Sequence, residues 1–142
     1  MLTVLNQQTF EFVFANELKR AARSQNYVTL VLLEPRAGDR ASAVNEIASL
    51  VSRELRETDL LATDETLVSM VLLDADVHNA TQVIERVMSR LEHYQFTPPV
   101  EIEVGAACCP THGADAETLK RVAAAARTGL APRDSRGSAH AQ

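Results

Sequence analysis

The chain has 142 residues, 46% of them hydrophobic but only 4% aromatic, and a formal charge of −5. That length fits one domain with a sizeable core of Val, Leu, Ile and Ala, and the acidic balance speaks against general nucleic-acid binding, which needs a basic face. No apolar run approaches the ~18 residues of a membrane span and no signal peptide opens the chain, so a soluble cytoplasmic domain is expected.

In chain order, Phe10, Phe14, Leu18 and Ala21 recur at helical spacing and predict a helix over 7–24, with Asn6 or Thr9 as its cap. "YVTLVLL" (27–33) is a continuous β-branched and leucine run, which predicts a buried and central strand. "EPRAGDR" breaks that pattern with Pro and Gly. Val44, Ile47, Ala48, Val51 and Leu55 share one face of a helix over 41–56. A hairpin covers about 59–73, and a second amphipathic helix, about 77–93, turns Ile84, Val87, Met88 and Leu91 inward. "VEIEVGAACC" (100–109) alternates as a strand, and Gly113 and Asp115 open a last helix with Leu119, Val122, Ala123 and Ala126 on one side.

The order α-β-α-β-β-α-β-α predicts an α+β fold, a central and mostly antiparallel sheet covered by helices. Residues 1–130 form the domain. The tail "APRDSRGSAHAQ" (131–142) is polar and expected to be disordered. Cys108 and Cys109 are neighbours on a strand and point to opposite faces, which speaks against a disulfide between them and predicts one inward and one outward thiol. Without C-x-x-C, and with four scattered His, no structural zinc site is expected. His78 and His112 have no convergent carboxylates in the pattern. The excess of 12 Arg over 2 Lys suits phosphate and guanine recognition, but Arg-favouring codon usage explains it as readily.

The hairpin "RETDLLATDETLVSMVLL" turns at Asp64-Glu65-Thr66 without a glycine. Its setting resembles the diguanylate cyclase family of GGDEF domains. "LTVLNQQTF" is similar to that family's opening LTGLxNRRxF, one residue shorter, and "ELKRAARSQNYVTLVLLE" to its first helix and strand. "LVSRELRETDLLA" resembles the helix and strand before the signature turn, and "VEIEVGAACCPTHGADAETLKRVAAAA" resembles VTVSIGVAxxPxxGxxxxxLxxxADxAL. The resemblance runs from about residue 2 to 130 and implies a nucleotidyl-cyclase-like fold. The chain begins at "LTVLN", where the family's domain begins, which suits a domain cut from a longer protein.

Counted without gaps, the GGDEF pentapeptide falls on Glu65, Thr66, Leu67, Val68 and Ser69. The resemblance therefore implies a degenerate member. Both glycines that let the backbone approach a triphosphate are absent, and Leu67 and Val68 replace a metal ligand and a catalytic carboxylate. Phosphoryl transfer rests mostly on metal and positioning. Glu34 stands at the place of a second metal-binding Asp, but "PRAGDRAS" carries no guanine-gripping Asn–Asp pair, and the family's Tyr and phosphate-binding Lys fall on Arg127 and Leu130. No enzyme activity and no cofactor are expected. Asp64 and Glu65 read as a solvated turn.

Active members of the family often carry an inhibitory site for their product, cyclic di-GMP, built around RxxD five residues before GGDEF. Arg56-Glu57-Thr58-Asp59 stands at that place, whereas a second match, Arg36 to Asp39, has no such position. A guanidinium can fork onto guanine O6 and N7 or onto phosphate, and a carboxylate can accept the guanine N1–H and N2–H. Arg86 and Arg90, at i and i+4 on the helix after the hairpin, can face one ligand; a salt-bridged surface with Glu85 and Glu92 is the competing reading. For Arg56 and Asp59 the competing reading is a simple ion pair between a helix end and a strand start.

The expectation is a cyclic di-GMP receptor module in bacterial signalling, built on Arg56, Asp59, Arg86 and Arg90, in which a two-faced ligand could cross-link a homodimer. The alternative is a dimerisation or docking module that binds no nucleotide and uses Phe12, off the main apolar stripe of its helix. Residual GTP binding at the old active site is a third, weaker reading.

Overall fold

An apolar strand without alternation has to be covered on both faces, and that requirement organises the molecule. The computed structural model describes residues 2, 4–36, 40–75, 77–96 and 99–130; the tail 131–142 and Asp39 of the second RxxD lie outside them. The elements are β1 (Val4–Leu5), α1 (Gln7–Ser24), β2 (Val28–Arg36), α2 (Arg40–Ser52), β3 (Leu60–Thr63), β4 (Val68–Leu73), α3 (Val77–His93), β5 (Glu101–Cys109), α4 (Ala116–Ala125) and β6 (Thr128–Leu130). The sheet order is β1-β3-β4-β2-β5-β6, antiparallel except for the β1–β3 pair. β2 is central, as its composition predicts.

Strand alternation sends successive β2 residues to two cores. Val28, Leu30 and Leu32 pack with Phe10, Phe14 and Leu18 of α1 and Leu119 and Ala123 of α4. Val31 and Leu33 pack with Val44, Ile47 and Val51 of α2 and Val87 and Leu91 of α3. Both helix N-termini with resolved caps use a side chain for an otherwise unpaired backbone donor: Asn6 Oδ1 accepts Thr9 N–H at 2.8 Å, and Asp115 Oδ2 accepts Thr118 N–H at 3.2 Å. Among the described residues, no helix is long and apolar enough to cross a membrane.

The structure departs from the sequence expectations in identifiable places. β2 continues through Glu34 and Pro35 to Arg36, past the point where Pro was expected to end it. From Glu34 onward it pairs only with β5, because its pairing with β4 ends at Leu33, and proline is tolerated where a strand has one neighbour. α2 stops at Ser52, so residues 53–59 form turns rather than a helix end. The outer strands β1 and β6 have two and three residues, too short to carry a periodic signal. Cys108 and Cys109 are both buried free thiols, since helices cover both faces of the sheet. Ala126 lies beyond α4 and is exposed.

Gly105 lets α4 sit against β5: a β-carbon there would lie 2.0 Å from the Ala123 carbonyl oxygen and 2.8 Å from Arg127 Cγ. The obstacle is backbone, so the helix would have to lift. Gly105→Ala should cost about 3 kcal/mol or more of unfolding free energy, measurable as a lower denaturant midpoint at unchanged slope.

Candidate ligand-binding site

The RxxD segment is a closed turn just ahead of β3. Arg56 C=O accepts Asp59 N–H at 3.0 Å, and Asp59 Oδ2 accepts Arg56 N–H at 3.0 Å in return. The other carboxylate oxygen, Oδ1, accepts Leu73 N–H at 3.1 Å, while Leu73 C=O accepts Arg56 Nη2–H at 2.5 Å. The pair thereby ties the start of β3 to the end of β4. Arg56 and Asp59 also approach directly, Nη2 to Oδ1 at 3.6 Å. Asp59 is only 4% exposed, whereas the Arg56 side chain is 63% exposed. The contact goes beyond a helix-end ion pair: the carboxylate satisfies two backbone donors, and the guanidinium reaches outward.

Arg56 and Asp59 line a pocket of about 240 Å³ that Arg86, Glu54, Asp74, Asn79 and Gln82 also line. Its apolar wall is formed by Leu72, Ala75 and Val83. A second, larger pocket of about 500 Å³ opens between α2 and α3, lined by Glu54, Arg86, Arg90, His93 and Tyr94 among others. Of the four residues expected to bind ligand, the structure brings Arg56, Asp59 and Arg86 to one pocket and places Arg90 on the adjoining one. Each oxygen of Asp59 has a further lone pair after its backbone bonds, so a carboxylate already oriented by the chain fold lies at the pocket wall.

Arg86 and Arg90 meet at Glu54, from the turn after α2, where the sequence pointed to Glu85 and Glu92. Arg90 Nε lies 2.6 Å from Glu54 Oε2, Arg86 Nε lies 3.4 Å from Oε1, and Arg86 Nη2 lies 3.5 Å from the Glu54 carbonyl oxygen. The hydrogen bond from Arg90, with that from Arg86 adding to it, holds the Glu54 carboxyl below its ordinary 4.5 against partial burial. Glu54 and Asp74 were missed from sequence: Glu54 sat inside an assumed helix. Asp74 follows β4 with φ 58° and lies 3.6 Å from Arg20; only an isolated Asp after an apolar strand marked it.

The signature turn presents a different chemistry. Asp64 Oδ1 accepts Thr66 N–H at 2.7 Å and the Thr66 hydroxyl at 3.2 Å, and Leu67 C=O accepts Asp64 N–H at 3.0 Å. An Asp side chain thus closes the bend locally. Glu65 and Thr66 are exposed, Leu67 is half-buried against the α1 core, and Val68 and Ser69 are buried in β4. Glu34 pairs with Arg127 Nη1 and lies 3.7 Å from Arg40 Nη1. His112 Nδ1 accepts Cys108 N–H at 2.8 Å, and His78 is exposed. Among the described residues, no three His, Cys, Asp or Glu side chains are grouped to hold a metal ion.

Two outcomes follow from these contacts. Asp59→Ala leaves two backbone donors without their acceptor and should cost roughly 2–4 kcal/mol of stability, whereas the exposed Arg56→Ala should cost about 1 kcal/mol or less; paired denaturation curves measure both. Because the Glu54 carboxyl is held low by the fold, its contribution is fully present above its ordinary 4.5 and is lost as pH falls through the lower folded value. The stability difference between wild type and Glu54→Gln, measured from pH 7 to pH 3, should therefore shrink on acidification.

The sequence matches no protein-family model and no curated protein. Solved structures do match. A DGC protein from Thermotoga maritima superposes with a TM-score of 0.78 at 15% identity, over 89% of this chain and 97% of that one. The active GGEEF domain of a diguanylate cyclase from Vibrio cholerae gives 0.74 at 13% identity, over 87% and 88%. The GGDEF domain of DgcB from Caulobacter crescentus, in complex with c-di-GMP, gives 0.68 at 13% identity, over 87% and 84%. The likeness is one of fold: the chain has the fold of the GGDEF domains.

Proposed function

We propose that this GGDEF-fold chain is catalytically silent and acts as a cyclic di-GMP receptor through Arg56, Asp59 and Arg86, with Arg90 at the margin of the site. The observation that carries the reading is the shared pocket. An outward guanidinium, a carboxylate oriented by two backbone N–H groups and a second guanidinium from α3 line one recess with an apolar wall. Guanine offers O6 and N7 to an arginine fork and N1–H and N2–H to a carboxylate, and the ring phosphates suit the remaining arginine. The complex of a GGDEF domain with c-di-GMP among the structural neighbours makes that ligand the natural one to try.

Two contacts support catalytic silence. Glu34, at the place of a metal-binding acid, is engaged by Arg127 and Arg40, so it already has cationic partners. The signature bend is closed by Asp64 and Thr66 and is followed by Leu67 and Val68, which offer a cation no oxygen from their side chains.

One observation favours a second reading. Phe12 on α1 is 70% exposed, the most exposed large hydrophobic residue among those described, and suits a protein-docking surface. The receptor reading is preferred because it accounts for three charged residues gathered in one pocket from two segments, Arg56 and Asp59 from the turn before β3 and Arg86 from α3.

Calorimetric titration of cyclic di-GMP into the wild-type domain and Arg56→Ala separates the two. Micromolar or tighter binding is expected, weakened about 10- to 100-fold by loss of a bidentate arginine. No heat from a folded wild-type domain would overturn the receptor reading and leave docking through Phe12. Incubation with GTP and Mg²⁺ should give no cyclic di-GMP; product formation would overturn catalytic silence.

A further inference from the structure

We infer that Glu54 is an intramolecular competitor for the ligand and sets the affinity of the site; the identity of the ligand rests on the receptor reading, the competition itself on geometry. One carboxylate serves both α3 arginines, one oxygen to each: Oε2 to Arg90 at 2.6 Å and Oε1 to Arg86 at 3.4 Å. Arg86 gives a second N–H, from Nη2, to the Glu54 carbonyl at 3.5 Å. The Nε and Nη2 side of the Arg86 guanidinium, the edge that would fork onto a phosphate, is therefore already in use.

The placement of Glu54 makes the competition unavoidable. It lines both pockets, as does Arg86, so the pair forms their common wall. An anion entering from either side meets a negative charge beside the guanidinium it needs. The Glu54 side chain is 15% exposed while those of Arg86 and Arg90 are 55% and 41% exposed. The carboxylate is thus partly withdrawn from water, which strengthens its hold, and the arginines keep solvent-facing donors at which an incoming anion can begin the exchange. Glu54 sits in the turn beyond the end of α2, where its backbone N–H donates to Val51 C=O at 2.9 Å, so its side chain can swing away without unwinding α2. A ligand with two phosphates held in one ring can offer both arginines a replacement anion, whereas a lone phosphate offers one. The displacement cost therefore sets a threshold that favours a dianionic ring.

The test titrates cyclic di-GMP, and separately inorganic pyrophosphate, into wild type, Glu54→Gln and Glu54→Ala. Heat and the Nε–H NMR signals of Arg86 and Arg90 are followed, and thermal melts establish that each variant is folded. The alanine variant covers the chance that a glutamine amide still bridges the arginines. Both variants should bind about fivefold or more tightly than wild type, with the arginine signals moving at lower ligand concentration. Unchanged or weaker binding in both would overturn the competition and make Glu54 a residue that positions the arginines. If wild type binds cyclic di-GMP and Arg56→Ala does not, that second result leaves the receptor reading standing. If no form binds cyclic di-GMP but the variants take pyrophosphate at Arg86 and Arg90 more tightly than wild type does, the competition stands and the receptor reading fails.

Discussion

Everything in the architecture follows from having to cover β2 twice. Its residues alternate between two faces, and from Val28 to Leu33 all but Thr29 are apolar, so one strand seeds two cores. The α1 and α4 pair closes one side and the α2 and α3 pair the other. With both faces covered, every position on β4 and most on β5 are buried whichever way they point. That is why Cys108 and Cys109 are both buried although strand geometry sends them to opposite faces. It also explains the tight fit at Gly105, where α4 rests on β5 with no space for a side chain.

The candidate site lies where this covering layer is stitched to the sheet. Residues 53–59 leave α2 and must enter β3 beside the end of β4, and the Arg56–Asp59 turn makes that junction through hydrogen bonds to both backbone groups of Leu73. A buried carboxylate with two backbone donors is a demanding structural element, since removing it strands those donors. The same demand keeps the carboxylate rigid at the wall of a pocket. Structural duty and ligand recognition are therefore compatible in Asp59, and the two duties divide differently in Arg56, whose side chain is mostly exposed while its Nη2 holds the Leu73 carbonyl.

Charge compensation recurs around the sheet. Glu54 sits between Arg86 and Arg90, Glu34 between Arg127 and Arg40, and Arg36 lies 3.2 Å from Glu103. Glu34 and Glu103 are directly opposed across the β2–β5 pair, an arrangement of like charges that is unfavourable by itself. The arginines around them relieve it. In the proposed reading, such internal pairs are what a ligand or a metal ion would have to displace, and this links catalytic silence at Glu34 with tuned affinity at Glu54.

The boundaries of α1 and α3, the centrality of β2 and the mostly antiparallel order could be read from the chain, because hydrophobic period and capping residues are local signals. Arg56 and Asp59 were legible as a pair by their spacing from the bend, and Arg86 and Arg90 by helical spacing. Glu54 and Asp74 were not, because nothing local distinguishes an acid that meets an arginine thirty-two residues away from one that meets water. The end of α2 at Ser52, the passage of β2 through Pro35 and the strands β1 and β6 likewise depend on which neighbour each segment finds. The sequence by itself determined the four helices, the four longer strands and most of the faces they bury, since those choices rest on side-chain period. Only the tertiary structure decided which charges face one another, since that depends on where separate segments come to lie.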